Sequence, residues 1–279
     1  MSVTGRALPL YDSDARVGAV RGLVHDLWAR RGLVRLLVTR DLTVRYKRSV
    51  LGVWWTMLNP ILTLGVMWVV FSQLFKLPGG RVPYIVYLFS GLVVLMLFQQ
   101  TVVAVGSSLT AASGVLARIH APAAAFAASA AIASLVNGAV ATVVLLAIEV
   151  VARPGLPATV VLAPAVLVLV ALQATGLGLA VATLAVRYYD ALELTNVLVL
   201  LVGYLTPTFY PEAIVPERYR PLLEANPLVH DLRVLRALAT EGVAPAAGDI
   251  AVAVVATVVM LLAGTAAFAR GWRTVAVLL

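Results

Sequence analysis

Chemistry in proteins is done by a short set of side chains, and in this 279-residue sequence most of that set is missing or scattered. The chain has no cysteine, which removes disulfides, thiolate metal sites and cysteine nucleophiles together. His25, His120 and His230 stand far apart and make no metal-ligand spacing, so they read as surface or interfacial histidines. The only lysines, Lys47 and Lys76, lack the G-x-x-x-x-G-K-[ST] context that cradles nucleotide phosphates, and the chain cannot bind ATP by that route. A Gly-x-Ser-x-Gly nucleophile turn is also absent. No catalytic residue and no metal site is therefore assigned. One group remains. Arg45, Lys47 and Arg48 crowd together just before a long apolar run, where cationic side chains could meet phosphate through charge-assisted hydrogen bonds. The other reading of these three is that they only fix the orientation of the chain in a membrane.

What must position such residues is set by composition. Of the chain, 62% is hydrophobic and 12% charged, with a mean hydropathy of +0.98. An ordinary soluble domain is about 45–50% apolar and about 25% charged. Too little polar surface remains to cover a water-soluble globule, which excludes a soluble enzyme, a disordered protein and a secreted disulfide scaffold. The remaining class is an all-α polytopic membrane protein.

Six stretches free of Lys, Arg, Asp and Glu are long enough to matter: 49–75, 82–117, 119–148, 154–186, 194–211 and 250–269. About 20 apolar residues cross the hydrocarbon core. The second stretch is too long for one crossing and too short for two. Its latter half, from Gly106 to Gly114, is small and polar and reads as a surface helix or loop. The spans are expected at about 53–75, 84–105, 123–149, 158–186, 191–211 and 249–269. Ten of the 21 basic residues precede the first span; with that end inside, fourteen lie inside and seven outside. Both termini are therefore expected in the cytoplasm. Residues 1–27 form a tail without the apolar core of a signal peptide, and 272–279 form a second tail. This distribution also accounts for the pI near 10.2 and the net charge of +8 through anionic lipid headgroups, so nucleic acid is not required.

Between the spans, residues 28–48 mix apolar and basic positions and suit either an amphipathic helix on the membrane surface or a plain basic anchor. From Pro211 to Asp249 the chain is rich in charge and proline. Asn226-Pro227 reads as an N-cap followed by proline at the first helical position, with Gly242 as the stop. Leu228, Leu232, Leu235 and Leu238 give that helix an apolar stripe to bury, either by dipping back toward a pathway or as an ordinary loop helix.

Within the spans fixed charge is nearly absent, which removes the usual signature of ion-coupled transport. Mild polarity replaces it: Asn59 in the first span, Gln99 and Gln100 in the second, Asn137 in the third, Gln173 in the fourth and Asn196 in the fifth. Such residues either bond helix to helix or line a pathway. Aromatic residues gather at span ends, among them Trp54, Trp55, Tyr84, Tyr87, Phe209 and Tyr210. Interface belts explain that placement, and stacking against sugar rings is the alternative.

Two stretches carry a resemblance. Arg40-Asp-Leu-Thr-Val-Arg-Tyr-Lys-Arg-Ser-Val-Leu-Gly-Val-Trp-Trp55 with Asn59-Pro60, and Thr206-Pro-Thr-Phe-Tyr-Pro-Glu-Ala-Ile-Val-Pro216 with Glu224-Ala-Asn-Pro-Leu228, resemble the ABC-2-type permeases that export O-antigen, teichoic acid or capsule. The likeness covers roughly residues 28–271. It implies a homodimer of this subunit with two copies of a separate ABC ATPase in a bacterial plasma (inner) membrane. That ATPase would hold the ATP and Mg, and this chain no cofactor. It further implies an interface helix at 28–48, a transmembrane domain at 49–271, a coupling helix at about 107–122 and external gate helices at about 216–240. On that pattern Thr110, Arg118, His120 and Pro122 face the ATPase. Trp54, Trp55, Asn59, Tyr84, Tyr87, Tyr204, Phe209 and Tyr210 border the pathway or its lateral gate. The implied substrate is a lipid-linked polysaccharide, and a drug or lipid exporter of the same fold is the rival.

Overall fold

The structure, a computed structural model, describes residues 27–47, 54–74, 83–116, 122–152, 155–188 and 190–278. Those residues are helical with no strand. Four helices are long and apolar enough to cross a membrane: Tyr84–Gly106, Ala123–Ala152, Ala158–Arg187 and Ala247–Gly271. Two shorter apolar helices, Leu58–Phe71 and Ala191–Leu205, accompany them.

In chain order, α1 (Arg31–Tyr46) precedes α2 (Trp54–Trp68), which carries Pro60 inside and continues as a π-helical turn over Val69–Leu74. An internal proline removes one backbone hydrogen bond, a loss that helices packed in membranes tolerate where neighbours compensate. Next come α3 (Tyr84–Gly106), the single turns α4 (Ser108–Ala111) and α5 (Ser113–Leu116), and α6 (Ala123–Ala152). A 3-10 turn over Ala158–Leu162 leads into α7 (Ala163–Arg187), followed by α8 (Ala191–Leu205). The apolar run that the sequence extends to residue 211 stops being helical at Leu205. Pro207 disfavours a helical residue before it, and Thr206 is accordingly extended, with ψ 130°. Short turns then reach α9 (Arg220–Glu224), α10 (Pro227–Arg236) and the long α11 (Ala247–Leu278).

The hub is α3, apolar on all sides and buried on nearly all of them, as a helix surrounded by others must be. Phe89, Leu92 and Val93 of α3, Val166 and Val170 of α7, and Leu228, Leu232 and Leu235 of α10 share one core. Against lipid there is no hydrophobic drive to pair helices, so close packing has to supply it. The seam between α7 and α11 does so. A Cβ on Gly264 would run into the backbone of Gly176, and one on Gly176 into the backbone of Met260.

α8 is the opposite case. Only Thr195, Val199 and Gly203 are buried, one stripe at i, i+4 and i+8, while Leu194, Leu198, Leu201 and Leu205 are exposed. The long helices alternate in direction. The end of α3, the start of α6 and the start of α8 meet beside α1, whereas the start of α3 and the end of α8 meet beside α10.

Candidate functional site

Beside α1 lies a cavity of about 700 Å³, framed by α1, the last turns of α3, α4, the first half of α6 and the first turns of α8. Its polar lining is Arg40 and Asp41 from α1, Gln99 and Gln100 from α3, Ser107 and Ser108 at the start of α4, Ser134 and Asn137 from α6, and Asn196 from α8. Gln99, Gln100 and Asn196 make no side-chain hydrogen bond with other described residues. Amides left in this way can donate and accept together, which suits a ligand rich in hydroxyls. The one charged feature is local. Asp41 Oδ1 accepts from Arg40 Nη2 at 2.8 Å and Nε at 3.1 Å, and Asp41 Oδ2 accepts from Ser129 Oγ of α6 at 3.2 Å. The same Arg40 guanidinium lies 5.9 Å from the ring centre of Phe126.

The other end of the bundle is closed by α10. Asn226 starts this helix as its sequence predicts: Oδ1 accepts from Leu228 N at 3.1 Å, while Nδ2 donates to Thr206 Oγ1 at 3.0 Å. At its far end the chain tightens into a π turn over Ala237–Glu241, and Gly242 adopts φ +71°, a left-handed stop. Eight of its ten residues are buried, among them His230, Asp231 and Arg236. α10 packs against α3, α7 and α11.

Each charged group there is handled differently. The Arg236 guanidinium donates to Ser90 Oγ at 3.2 Å, the Tyr87 carbonyl at 3.2 Å and the Pro207 carbonyl at 3.1 Å. It also sits 3.6 Å over the Tyr87 ring. Its burial lowers its basicity, and carbonyl dipoles with the ring face replace water around the charge. Arg233 donates to both oxygens of Glu212 and of Glu224 and, at 3.3 Å, to Asp249 of α11. These bonds hold the Glu224 carboxyl below its usual range. His230 Nδ1 lies 2.6 Å from Asp249 Oδ1, and Nε2 lies 3.0 Å from the Glu224 carbonyl. Both partners are acceptors, so each contact is a hydrogen bond only when the facing ring nitrogen carries a proton.

Asp231 is fully buried beside Gln173 of α7, and neither its carboxylate oxygens nor Gln173 Oε1 has a hydrogen-bond partner among the described residues. Burial pushes the Asp231 carboxyl up to about 7.

The residues singled out from sequence divide between these two ends and the outside. Tyr84, Tyr87, Phe209 and Tyr210 come together at the α10 end. The Tyr84 hydroxyl donates to the Phe209 carbonyl at 2.7 Å and that of Tyr87 to the Tyr210 carbonyl at 2.9 Å. The Phe209 ring stacks on Phe71, with centroids 6.0 Å apart. These aromatics bind down the non-helical segment after α8. Trp55 and Asn59 on α2 and Tyr204 on α8 are exposed. Lys47 is exposed at the end of α1. Arg45 falls on α1 and Trp54 opens α2, but their side chains, like Arg48, Arg118 and His120, lie outside the described residues. Thr110 sits in α4, bonded to the Ser107 carbonyl at 2.9 Å, and Pro122 leads into α6. Among the described residues, none of the expected pathway or headgroup positions lines the cavity. Its lining was visible only as isolated amides in separate spans. Arg40 and Asp41 were missed altogether, although an aspartate inside a basic pre-span segment was the available signal.

Comparison with known proteins fits this architecture. The sequence is 28% identical over 248 residues to the O-antigen export system permease protein RfbA of Myxococcus xanthus, covering 88% of this chain and 95% of that protein. Residues 32–239, which run from α1 through the turn after α10, match the family described as ABC-2 type transporter. A match over most of the chain places it as a transport subunit rather than an enzyme, in a family that implies pairing with an ABC ATPase. The chain belongs to the ABC-2 type transporter family.

Proposed function

We propose that this chain is the transmembrane subunit of an exporter of lipid-linked polysaccharide, acting as a homodimer with two ABC ATPase subunits in the inner membrane of a bacterium. The observation that carries the reading is the cavity beside α1, whose polar lining, set among alanines and larger apolar side chains such as Leu42 and Phe126, is amide and hydroxyl with a single arginine–aspartate pair. Sugars offer many hydroxyls and little charge, and scattered amides recognise them without the tight grip that would stall a moving chain. Similarity to an O-antigen export permease supports the same substrate class.

In this reading α2 and α8 complete six crossings with the four longer helices, and both termini are cytoplasmic. The cavity then faces the side where ATP is hydrolysed. α1 lies on the inner membrane surface, with Arg45, Lys47 and Arg48 at headgroup level. Residues 107–122 receive the motion of the ATPase, which binds ATP and Mg in its own chain. α9 and α10 re-enter from outside as the exit gate. ATP binding shifts the population between an inward-open cavity and an outward-open path, and the loosely packed α8 and α2 are the elements that move.

The test is reconstitution with the ABC ATPase, followed by hydrolysis measured against a panel of lipid-linked glycans and drugs. Stimulation by a glycolipid is expected. Stimulation by drugs alone would replace this reading with that of a drug exporter.

A further inference from the structure

The Arg40–Asp41 pair is the one charged feature of the cavity, and its construction suits exchange. Residues adjacent on a helix do not face each other, so their ion pair forms sideways, and here it is well exposed: the side chains are 46% and 28% accessible. Exposed pairs of this kind contribute little stability. Arg40 spends two of its five N–H groups on one oxygen of Asp41, leaving three without a partner among the described residues. The Phe126 ring beneath the guanidinium plane and the Ser129 hydroxyl on Asp41 Oδ2 fix the pair against α6. The result is a planar, oriented donor fork at a cavity wall, occupied by a weakly held internal anion.

We infer that Arg40 is the phosphate-binding residue of this cavity, held in reserve by Asp41 and released to a phosphate or pyrophosphate group that displaces the carboxylate. A phosphate matches the guanidinium fork with two parallel bonds, which the single shared oxygen of Asp41 does not. When displaced, Asp41 still has beside it the Ser129 hydroxyl at 3.2 Å, a donor that it shares with the Phe126 carbonyl at 2.9 Å. The neighbouring amides Gln100 and Asn196 then meet whatever the phosphate carries. This assignment rests on the reading of the cavity as the substrate-binding end. It places the anion seven residues before Lys47, on the order of 10 Å along α1 from the basic cluster that the sequence suggests.

The test is direct binding, with the full chain in nanodiscs of zwitterionic lipid and no ATPase present. The probes are farnesyl diphosphate, inorganic pyrophosphate and farnesol. Farnesyl diphosphate should bind and farnesol should not. Arg40→Ala should weaken binding about tenfold or more, the loss expected for hydrogen bonds to a charged group. Arg40→Lys should fall between, because it keeps charge without the fork. Asp41→Asn should bind more tightly than wild type, because it removes the competitor while preserving an acceptor for Ser129. A merely structural pair would make both substitutions weaken binding. Arg35→Ala, which removes an α1 charge outside the cavity, should leave affinity unchanged.

Tighter binding of farnesyl diphosphate than of pyrophosphate assigns the group to a lipid headgroup, and equal binding assigns it to a soluble phosphate ester. Either result upholds the site. No binding of either phosphate probe overturns the inference, as does full affinity in Arg40→Ala, weakened binding in Asp41→Asn, or an equal loss in Arg35→Ala. Because no ATPase or glycan is used, failure here leaves the hydrolysis test of the exporter reading intact, and the reverse holds as well.

Discussion

The two ends of this bundle solve opposite problems with the same kinds of side chain. Around α10, arginines are surrounded: Arg233 contacts three carboxylates, and Arg236 is enclosed by carbonyls, a hydroxyl and a ring. Beside α1, Arg40 has one exposed partner and the nearby amides Gln99, Gln100 and Asn196 have none among the described residues. In a low-dielectric interior a satisfied polar network is stiff, because losing any member leaves others unpaired. Water-facing polar groups carry no such penalty. The comparison teaches that polarity is structural at the α10 end and available at the α1 end. Substitutions should therefore damage folding at one end and ligand handling at the other.

The largest effect is expected at Arg236. Arg236→Ala would leave two buried carbonyls and Ser90 without their donor, at a cost of about 3 kcal/mol. A clear fall in apparent melting temperature of the purified protein checks it, and an unchanged value would break the comparison. The next test is pH. Asp231 in the folded chain titrates at about 7 against an ordinary value of 3.8, so the fold prefers the neutral acid. Its stabilising share is complete below pH 4 and fades as pH rises to 7. Melting temperature should fall between about pH 4 and pH 7, and Asp231→Asn should flatten that dependence. Glu224 works in the opposite sense, since its lowered value favours the fold above about pH 4.5 and is lost in acid.

Arg233→Gln is expected to cost less than Arg236→Ala, about 1–2 kcal/mol, because its network is partly open to solvent. Thermal melts of both variants side by side would rank the two arginines. The smallest stability effect should come from the cavity. Gln100→Leu should change stability by no more than about 0.5 kcal/mol, while glycolipid-stimulated hydrolysis falls roughly three- to tenfold. Loss of folding in that variant would erase the distinction between the two ends.

Sequence patterns went furthest where the cause is local. The helix Tyr84–Gly106 lies on the run read as 84–105, since an unbroken apolar stretch has one way to satisfy its backbone in lipid. Asn226-Pro227 and Gly242 bracket α10 and its π turn for reasons carried by those residues themselves. The run from 194 to 211 was overextended because hydropathy registers Pro207 only weakly, while backbone geometry is decided by it. The cavity was not legible. Gln99, Asn137 and Asn196 sit on three helices far apart in the chain, and nothing in local spacing says that they meet. The partners of the tyrosines were hidden for a related reason: an aromatic residue at a span end looks the same whether its hydroxyl meets water or, as with Tyr84, a carbonyl 125 positions away.

The glycine contact between α7 and α11 has a mechanical corollary. Where the two helices touch backbone to backbone, no side chain lies between them to slide or repack, which makes that stretch of the seam stiff. α10, wedged against both, is bolted to that frame, and Asp249 at the start of α11 holds its charged face. Helices whose contacts are one stripe wide, α8 first among them, are held by far less. Stiffness in this subunit is thus distributed by residue size: hydrogen atoms at positions 176 and 264 let two backbones meet where any larger side chain would hold them apart.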